Sequence, residues 1–164
     1  MSIGRFYAGI SALVWCASTQ KYLVLRRSSD KDFGAGAWEC VTGRVDQGEG
    51  FPQAMLREIH EELGAPVGAQ ARIDFIIGTM HLYRGEATPE NEMVGVQFCC
   101  SIEDPEAIRT SWEHVVHCWV TAEEARALLP QDHWLIKVIQ RAETLRALMP
   151  RELLACYRTA EWMA

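Results

Sequence analysis

Apolar residues in the first part of this chain come in short runs of strand length rather than at helical spacing. Phe6-Tyr7-Ala8-Gly9-Ile10-Ser11-Ala12-Leu13-Val14-Trp15-Cys16 and Tyr22-Leu23-Val24-Leu25-Arg26-Arg27 flank a polar Ser-Thr-Gln-Lys turn, a pattern that predicts a first hairpin. Met1 to Arg5 followed by the first run also has the outline of a short signal peptide, but Trp15 is a poor neighbour for a cleavage site and a second strand follows at once. The hairpin is the preferred reading, and with it a cytoplasmic protein. Ser28 to Gly36 is polar and glycine-bearing and predicts an exposed loop. Trp38-Glu39-Cys40-Val41-Thr42 reads as one short strand, its tryptophan as core rather than as a base-stacking platform. Ala71 to Tyr83 and Met93 to Ile102 predict strands joined by the polar Arg84 to Glu92, and Val115 to Val120 predicts a third.

Helical spacing takes over between Gly43 and Ala65. Leu56, Ile59 and Leu63 make an apolar stripe, Pro52 suits a first turn, Gly64 suits a left-handed C-terminal cap, and Pro66 stops the helix. The helix is therefore expected from Phe51 to Leu63, with Glu58, Glu61 and Glu62 gathered on a face away from the stripe. Thr121, with Glu124 at the capping-box position, opens a helix over Ala122 to Leu129. His133 to Met149 and Arg151 to Trp162 are helical by period and broken at Pro150. No repeat, low-complexity tract or linker divides the chain, so residues 1–164 read as a single domain. The last helices either cover the sheet or form a homodimer contact, and the pattern leaves both open.

Three carboxylates on one helix repel one another by a few tenths of a kcal/mol per pair, roughly. Arg57 can pair with Glu61 one turn on, and a divalent cation offsets the repulsion more fully. Hard cations take oxygen ligands, which a carboxylate cluster beside a glycine-bearing loop supplies from side chain and backbone. For Glu-x-x-Glu-Glu alone, a solvated acidic face is the simpler reading. The flanking residues change that balance.

Gly43, Glu49, Arg57, Glu58, Ile59, Glu61, Glu62 and Gly64 fall at the spacing of the Nudix signature, so the stretch resembles that of the Nudix hydrolases. One position departs: Ala65 stands where a bulkier aliphatic is usual, and Val67 can fill its space. The resemblance implies an α/β fold, the Nudix-type α/β/α sandwich with a mixed sheet, to which this chain adds extra C-terminal helices. It implies metal-dependent hydrolysis of a diphosphate linkage in a nucleoside diphosphate derivative. Magnesium, or alternatively manganese, would be held by Glu58, Glu61 and Glu62 with the Gly43 carbonyl. Glu58 is favoured as general base over a residue outside the box, Glu61 shares the catalytic work, Arg57 orients the glutamates, and Glu49 braces the loop. Magnesium wants six oxygens, and Glu113, just before the Val115 to Val120 strand, is the candidate for a further ligand, ahead of Glu92. A solvent-exposed glutamate at a strand entrance is the equal alternative for Glu113.

Substrate markers are thinner. Val41-Thr42-Gly43 replaces the usual Pro-Gly-Gly, Tyr83 lies eighteen residues after Ala65, and Met80 stands where ADP-ribose pyrophosphatases carry a proline. These features point to a nucleoside triphosphate or dinucleoside polyphosphate rather than ADP-ribose. Two other functions compete: a non-catalytic nucleotide-binding Nudix module, which should have lost box glutamates, and an isopentenyl diphosphate isomerase, which would need a reactive cysteine for which Cys40 is the only nearby candidate.

Composition sets bounds on these readings. At 164 residues with a net charge of −6, the chain can bury roughly 70% of its unfolded surface and carries no general nucleic-acid surface. No run is long enough to span a bilayer. The six cysteines include an adjacent Cys99-Cys100 pair inside an apolar run and no Cys-x-x-Cys, which suits buried thiols in a reducing compartment. Zinc held by Cys118 with His114 or His117 is the alternative that this pattern disfavours.

Overall fold

A computed structural model describes residues 5–31 and 34–158. Its axis is β1 (Tyr7–Cys16). Ile10, Ala12, Val14 and Cys16 point to one core and Leu13 to a second, with Trp15 packed against the latter. A strand apolar on both faces needs cover on both, and helices supply it. The expected hairpin forms with β2 (Lys21–Arg27), antiparallel at Trp15↔Tyr22 and Cys16↔Lys21. On its other edge β1 runs parallel to β6 (Glu92–Ile102), which pairs antiparallel with β5 (Arg72–Tyr83). β7 (His114–Val120) adds antiparallel to β2. The result is the mixed seven-stranded sheet.

Trp38 to Thr42 is not one strand. β3 (Trp38–Glu39) pairs with β2, and β4 (Val41–Arg44) pairs with β1. The reason is that β1 and β2 diverge beyond their short shared register. The segment fills the fork between them, bonded first to one side and then to the other, and Cys40 is the crossing residue.

α1 (Phe51–Leu63) has the expected bounds, with Pro52 in its first turn. Met55, Ile59 and Leu63 are fully buried against Ile10, Val41 and Phe98, each worth roughly 1.5–3 kcal/mol of burial. Its C-terminus differs from expectation. Gly64 takes φ 92° and ψ 158°, a positive φ but not the left-handed helical conformation. Pro66 does not end the helical path: it sits in the first turn of α2 (Ala65–Gln70), where Val67 and Gly68 donate to the Gly64 carbonyl at 3.1 Å. Proline is suited to a first turn because its missing N–H would have had no partner there. Ala65 is exposed and Val67 is buried in the α1 core, so the aliphatic position has moved two residues along.

The opposite face is covered by α3 (Ala122–Leu128) and α4 (Trp134–Leu148). Thr121 and Glu124 form the capping box. Leu135, Ile139 and Ala142 of α4 pack on Leu13, Phe75 and Cys99, so α4 covers the sheet. Arg146 locks it down, donating from Nη1 and Nη2 to Oδ2 of the fully buried Asp74 at 3.1 Å while its guanidinium lies 3.8 Å from the Trp15 ring centroid. Trp38 packs against this second core as expected. α5 (Arg151–Arg158) follows Pro150, and the rest of the helix expected to reach Trp162 lies outside the described residues.

Candidate active site

Gly43 lies in β4 and faces α1. A Cβ built there would stand 2.0 Å from the Glu58 carboxyl carbon and Oε1, so the absence of a side chain lets the helix carboxylate lie directly on the strand. The Glu58 side chain is 14% exposed. Burial raises its pKa against the lowering effect of Arg57, with Glu61 and Glu113 adding repulsion.

Arg57 is the hub of the loop. Its Nε and Nη2 donate to the two carboxylate oxygens of Glu49 at 2.9 Å each, in the bidentate geometry that suits guanidinium. Nη2 also reaches the Arg44 carbonyl at 2.9 Å, and Nη1 reaches Glu58 at 2.8 Å and Glu61 at 3.4 Å. Glu49 accepts from the Asp46 N–H as well, and the Arg57 hydrogen bond holds its pKa low. One cation thus ties the loop after β4 to the acidic helix.

The three helix carboxylates do not share one solvated face, which corrects the expected pattern. Glu61 is 55% exposed, whereas Glu62 is buried at 4%. Glu62 lies seven residues after Met55, two turns along the buried stripe, and that spacing could have placed it inward from the sequence. Its Oε1 accepts from Thr42 N–H at 3.4 Å, while Oε2 has no hydrogen-bond partner and stands 3.8 Å from His114 Nε2. Burial, then Glu39, then Glu58 push its pKa well up.

Glu39, Arg27 and His114 were not anticipated as part of this site. Arg27 Nη1 donates to Glu39 Oε1 at 2.7 Å, His114 Nε2 lies 3.0 Å from the same oxygen, and Thr42 Oγ1 donates to Glu39 Oε2 at 3.3 Å. His114 is 5% exposed and Glu39 8%. The group unites β2, β3, β4 and β7 behind Glu62. Its members are far apart in sequence, so no local motif announces them.

Glu113 is held by Lys31, whose Nζ lies 2.5 Å from Glu113 Oε2. Glu92 instead faces His81 at 2.8 Å, on the strand that ends in Tyr83. Cys40 is 1% exposed, and burial with Glu39 and Glu62 nearby drives its thiol pKa far up, the opposite of what a reactive cysteine needs. His114 is turned toward Glu39, not toward Cys118.

Among the described residues no three His, Cys, Asp or Glu side chains form a ready-made metal cage, and Arg57 and Lys31 stand as counter-ions to Glu58, Glu61 and Glu113. The donor set nonetheless fits a hard divalent cation. It is all oxygen, it includes a buried carboxylate oxygen without a partner, and it adjoins a strand whose glycine lets the Glu58 carboxylate lie against the backbone.

Comparison with known proteins bears on this arrangement. The family model described as NUDIX domain matches residues 7–142. Dihydroneopterin triphosphate diphosphatase of Escherichia coli strain K12 is 32% identical over 129 residues, covering 73% of this chain and 81% of that protein. The structure of the E. coli dihydroneopterin triphosphate pyrophosphohydrolase superimposes with a TM-score of 0.62 at 26% identity, over 84% of this chain and 97% of that one. A C. elegans Ap4A hydrolase in a binary complex gives 0.68 at 19% identity, over 86% and 98%, a likeness of fold.

Proposed function

Since this chain belongs to the Nudix family and is a hydrolase of diphosphate linkages in nucleotide derivatives, we propose that its substrate is a ring-bearing triphosphate, cleaved with magnesium. The observation that supports the metal-dependent chemistry is the seating of Glu58 on Gly43 together with the buried, unpartnered Glu62 oxygen. Dihydroneopterin triphosphate joins the nucleoside triphosphates as a candidate, a reading supported by the 32% identity to a dihydroneopterin triphosphate diphosphatase. A dinucleoside polyphosphate is the second reading, favoured by Tyr83, which stands edge-on to His81 with ring centroids 5.5 Å apart.

Glu58, Glu61 and Glu62 with the Gly43 carbonyl would hold the metal, and Glu113 would join them on leaving Lys31. A bound divalent cation supplies charge neutralisation for the diphosphate and a more acidic water. Glu58 takes the proton from the attacking water, a role suited by a carboxyl whose pKa is raised by burial. Arg57 keeps Glu58 and Glu61 oriented, and Glu49 fixes Arg57. Buried Cys16, Cys40, Cys99 and Cys100 suit a reducing, cytoplasmic setting. No described helix is long and apolar enough to cross a membrane.

The test is one panel under one condition: dihydroneopterin triphosphate, nucleoside triphosphates, diadenosine polyphosphates and ADP-ribose with magnesium. Diphosphate release from triphosphates is expected to dominate, and a clear preference for ADP-ribose overturns the substrate assignment. Glu58→Gln should cost roughly 10²–10⁴ in rate. Undiminished turnover in excess chelator overturns the metal assignment.

A further inference from the structure

Trp112 is 71% exposed, yet its backbone surroundings are pinned. Ser111 N–H donates to the Glu62 carbonyl at 2.9 Å, Glu113 N–H to Ser111 Oγ at 3.3 Å, and Ser28 N–H to the Glu113 carbonyl at 2.7 Å. The loop before β7 is therefore stapled to α1 on one side of Trp112 and to the end of β2 on the other. Lys31 Nζ lies 4.6 Å from the Trp112 ring centroid while bonded to Glu113, and its side chain is only 16% exposed. The ammonium thus occupies one side of the indole, and much of the remaining ring surface is open to solvent. The Ser111 hydrogen bond to the Glu62 carbonyl sets Trp112 one residue from the acidic helix, which puts the indole at the rim of the acidic site.

A rigidly presented aromatic surface spends little conformational entropy on binding, and any planar heterocycle can stack on it. We infer that Trp112 is a substrate-binding platform that stacks the heteroaromatic ring at one end of the polyphosphate substrate, with the Lys31 ammonium beside it for phosphate oxygens. The placement of the phosphates rests on the hydrolase reading above. The binding role of the ring does not.

Calorimetric titration with magnesium separates the two. The probes are a nucleoside triphosphate analogue with a methylene bridge between its α and β phosphates, and ringless inorganic tripolyphosphate. Trp112→Ala is expected to weaken the analogue about ten- to a hundredfold and leave tripolyphosphate unchanged, while Trp112→Phe keeps most of the affinity. Lys31→Ala should weaken both probes. Because the indole is largely exposed, thermal unfolding of Trp112→Ala should match the wild type. An equal effect of Trp112→Ala on the two probes, or no effect on either, overturns the platform. So does a wild type that binds the analogue no more tightly than tripolyphosphate. If the wild type hydrolyses no diphosphate but the ring-dependent loss persists, the hydrolase reading falls and the platform stands.

Discussion

Replacing Gly43 by alanine isolates the contact between strand and acidic helix. Gly43 does not take a positive φ, so alanine meets no backbone strain and the whole effect is steric. The new methyl carbon would lie 2.0 Å from the Glu58 carboxyl and 2.3 Å from its Cγ, well inside ordinary contact. The carboxylate has to retreat by more than about 1 Å, and a misplacement of that size can cost on the order of 10² in rate. Retreat also strains the 2.8 Å hydrogen bond from Arg57, and overpacking of this kind costs about 1–3 kcal/mol. Turnover from diphosphate release and stability from urea unfolding should be measured for Gly43→Ala, Glu58→Ala and the double variant. With the carboxylate gone the alanine has nothing to strike, so its stability cost should nearly vanish in the Glu58→Ala background. An equal cost in both backgrounds, or wild-type turnover in Gly43→Ala, refutes the steric argument.

Thr121→Ala removes a cap worth about 1 kcal/mol and should lower the unfolding midpoint without changing kinetics. Arg146→Met strips the buried Asp74 of its guanidinium and should destabilise by about 3 kcal/mol or more, with partial recovery on adding Asp74→Asn, both read by denaturant unfolding. Glu49 has a folded pKa below its ordinary value near 4.5, so its stabilisation is present above that value and is lost as pH falls through the depressed pKa. Glu49→Gln should therefore be less stable than wild type at neutral pH. The two unfolding curves should converge in strong acid.

The helix that carries the carboxylates was legible because its signals are local. Pro52, the Leu56-Ile59-Leu63 spacing and Gly64 all act within a turn or two, and Thr121 with Glu124 announced α3 for the same reason. Pro66 shows the limit of such signals, since a residue that can end one helix can equally open the next. The split of Trp38 to Thr42 depends on how far β1 and β2 diverge, which no property of those five residues encodes. The burial of Glu62 was encoded by its spacing from Met55 but obscured by its charge. The Glu39, Arg27 and His114 group lies beyond local reading, because Glu39 and His114 meet across 75 positions of chain.

The parallel pairing of β1 with β6, from Tyr7↔Met93 to Cys16↔Ile102, governs the order in which this molecule can be assembled. Closing so large a loop has an entropic cost before any contact offsets it, and sheets rich in distant pairings fold slowly for that reason. On the ribosome, at roughly 5–20 residues per second, the first hairpin and the acidic helix are made well before β6 exists to complete the central sheet. During that interval Ile10, Ala12 and Val14 have only part of their eventual cover. The nascent chain should depend on chaperones until Ile102 has cleared the exit tunnel, and destabilising changes in β6 should reduce soluble yield more than equal changes in α3.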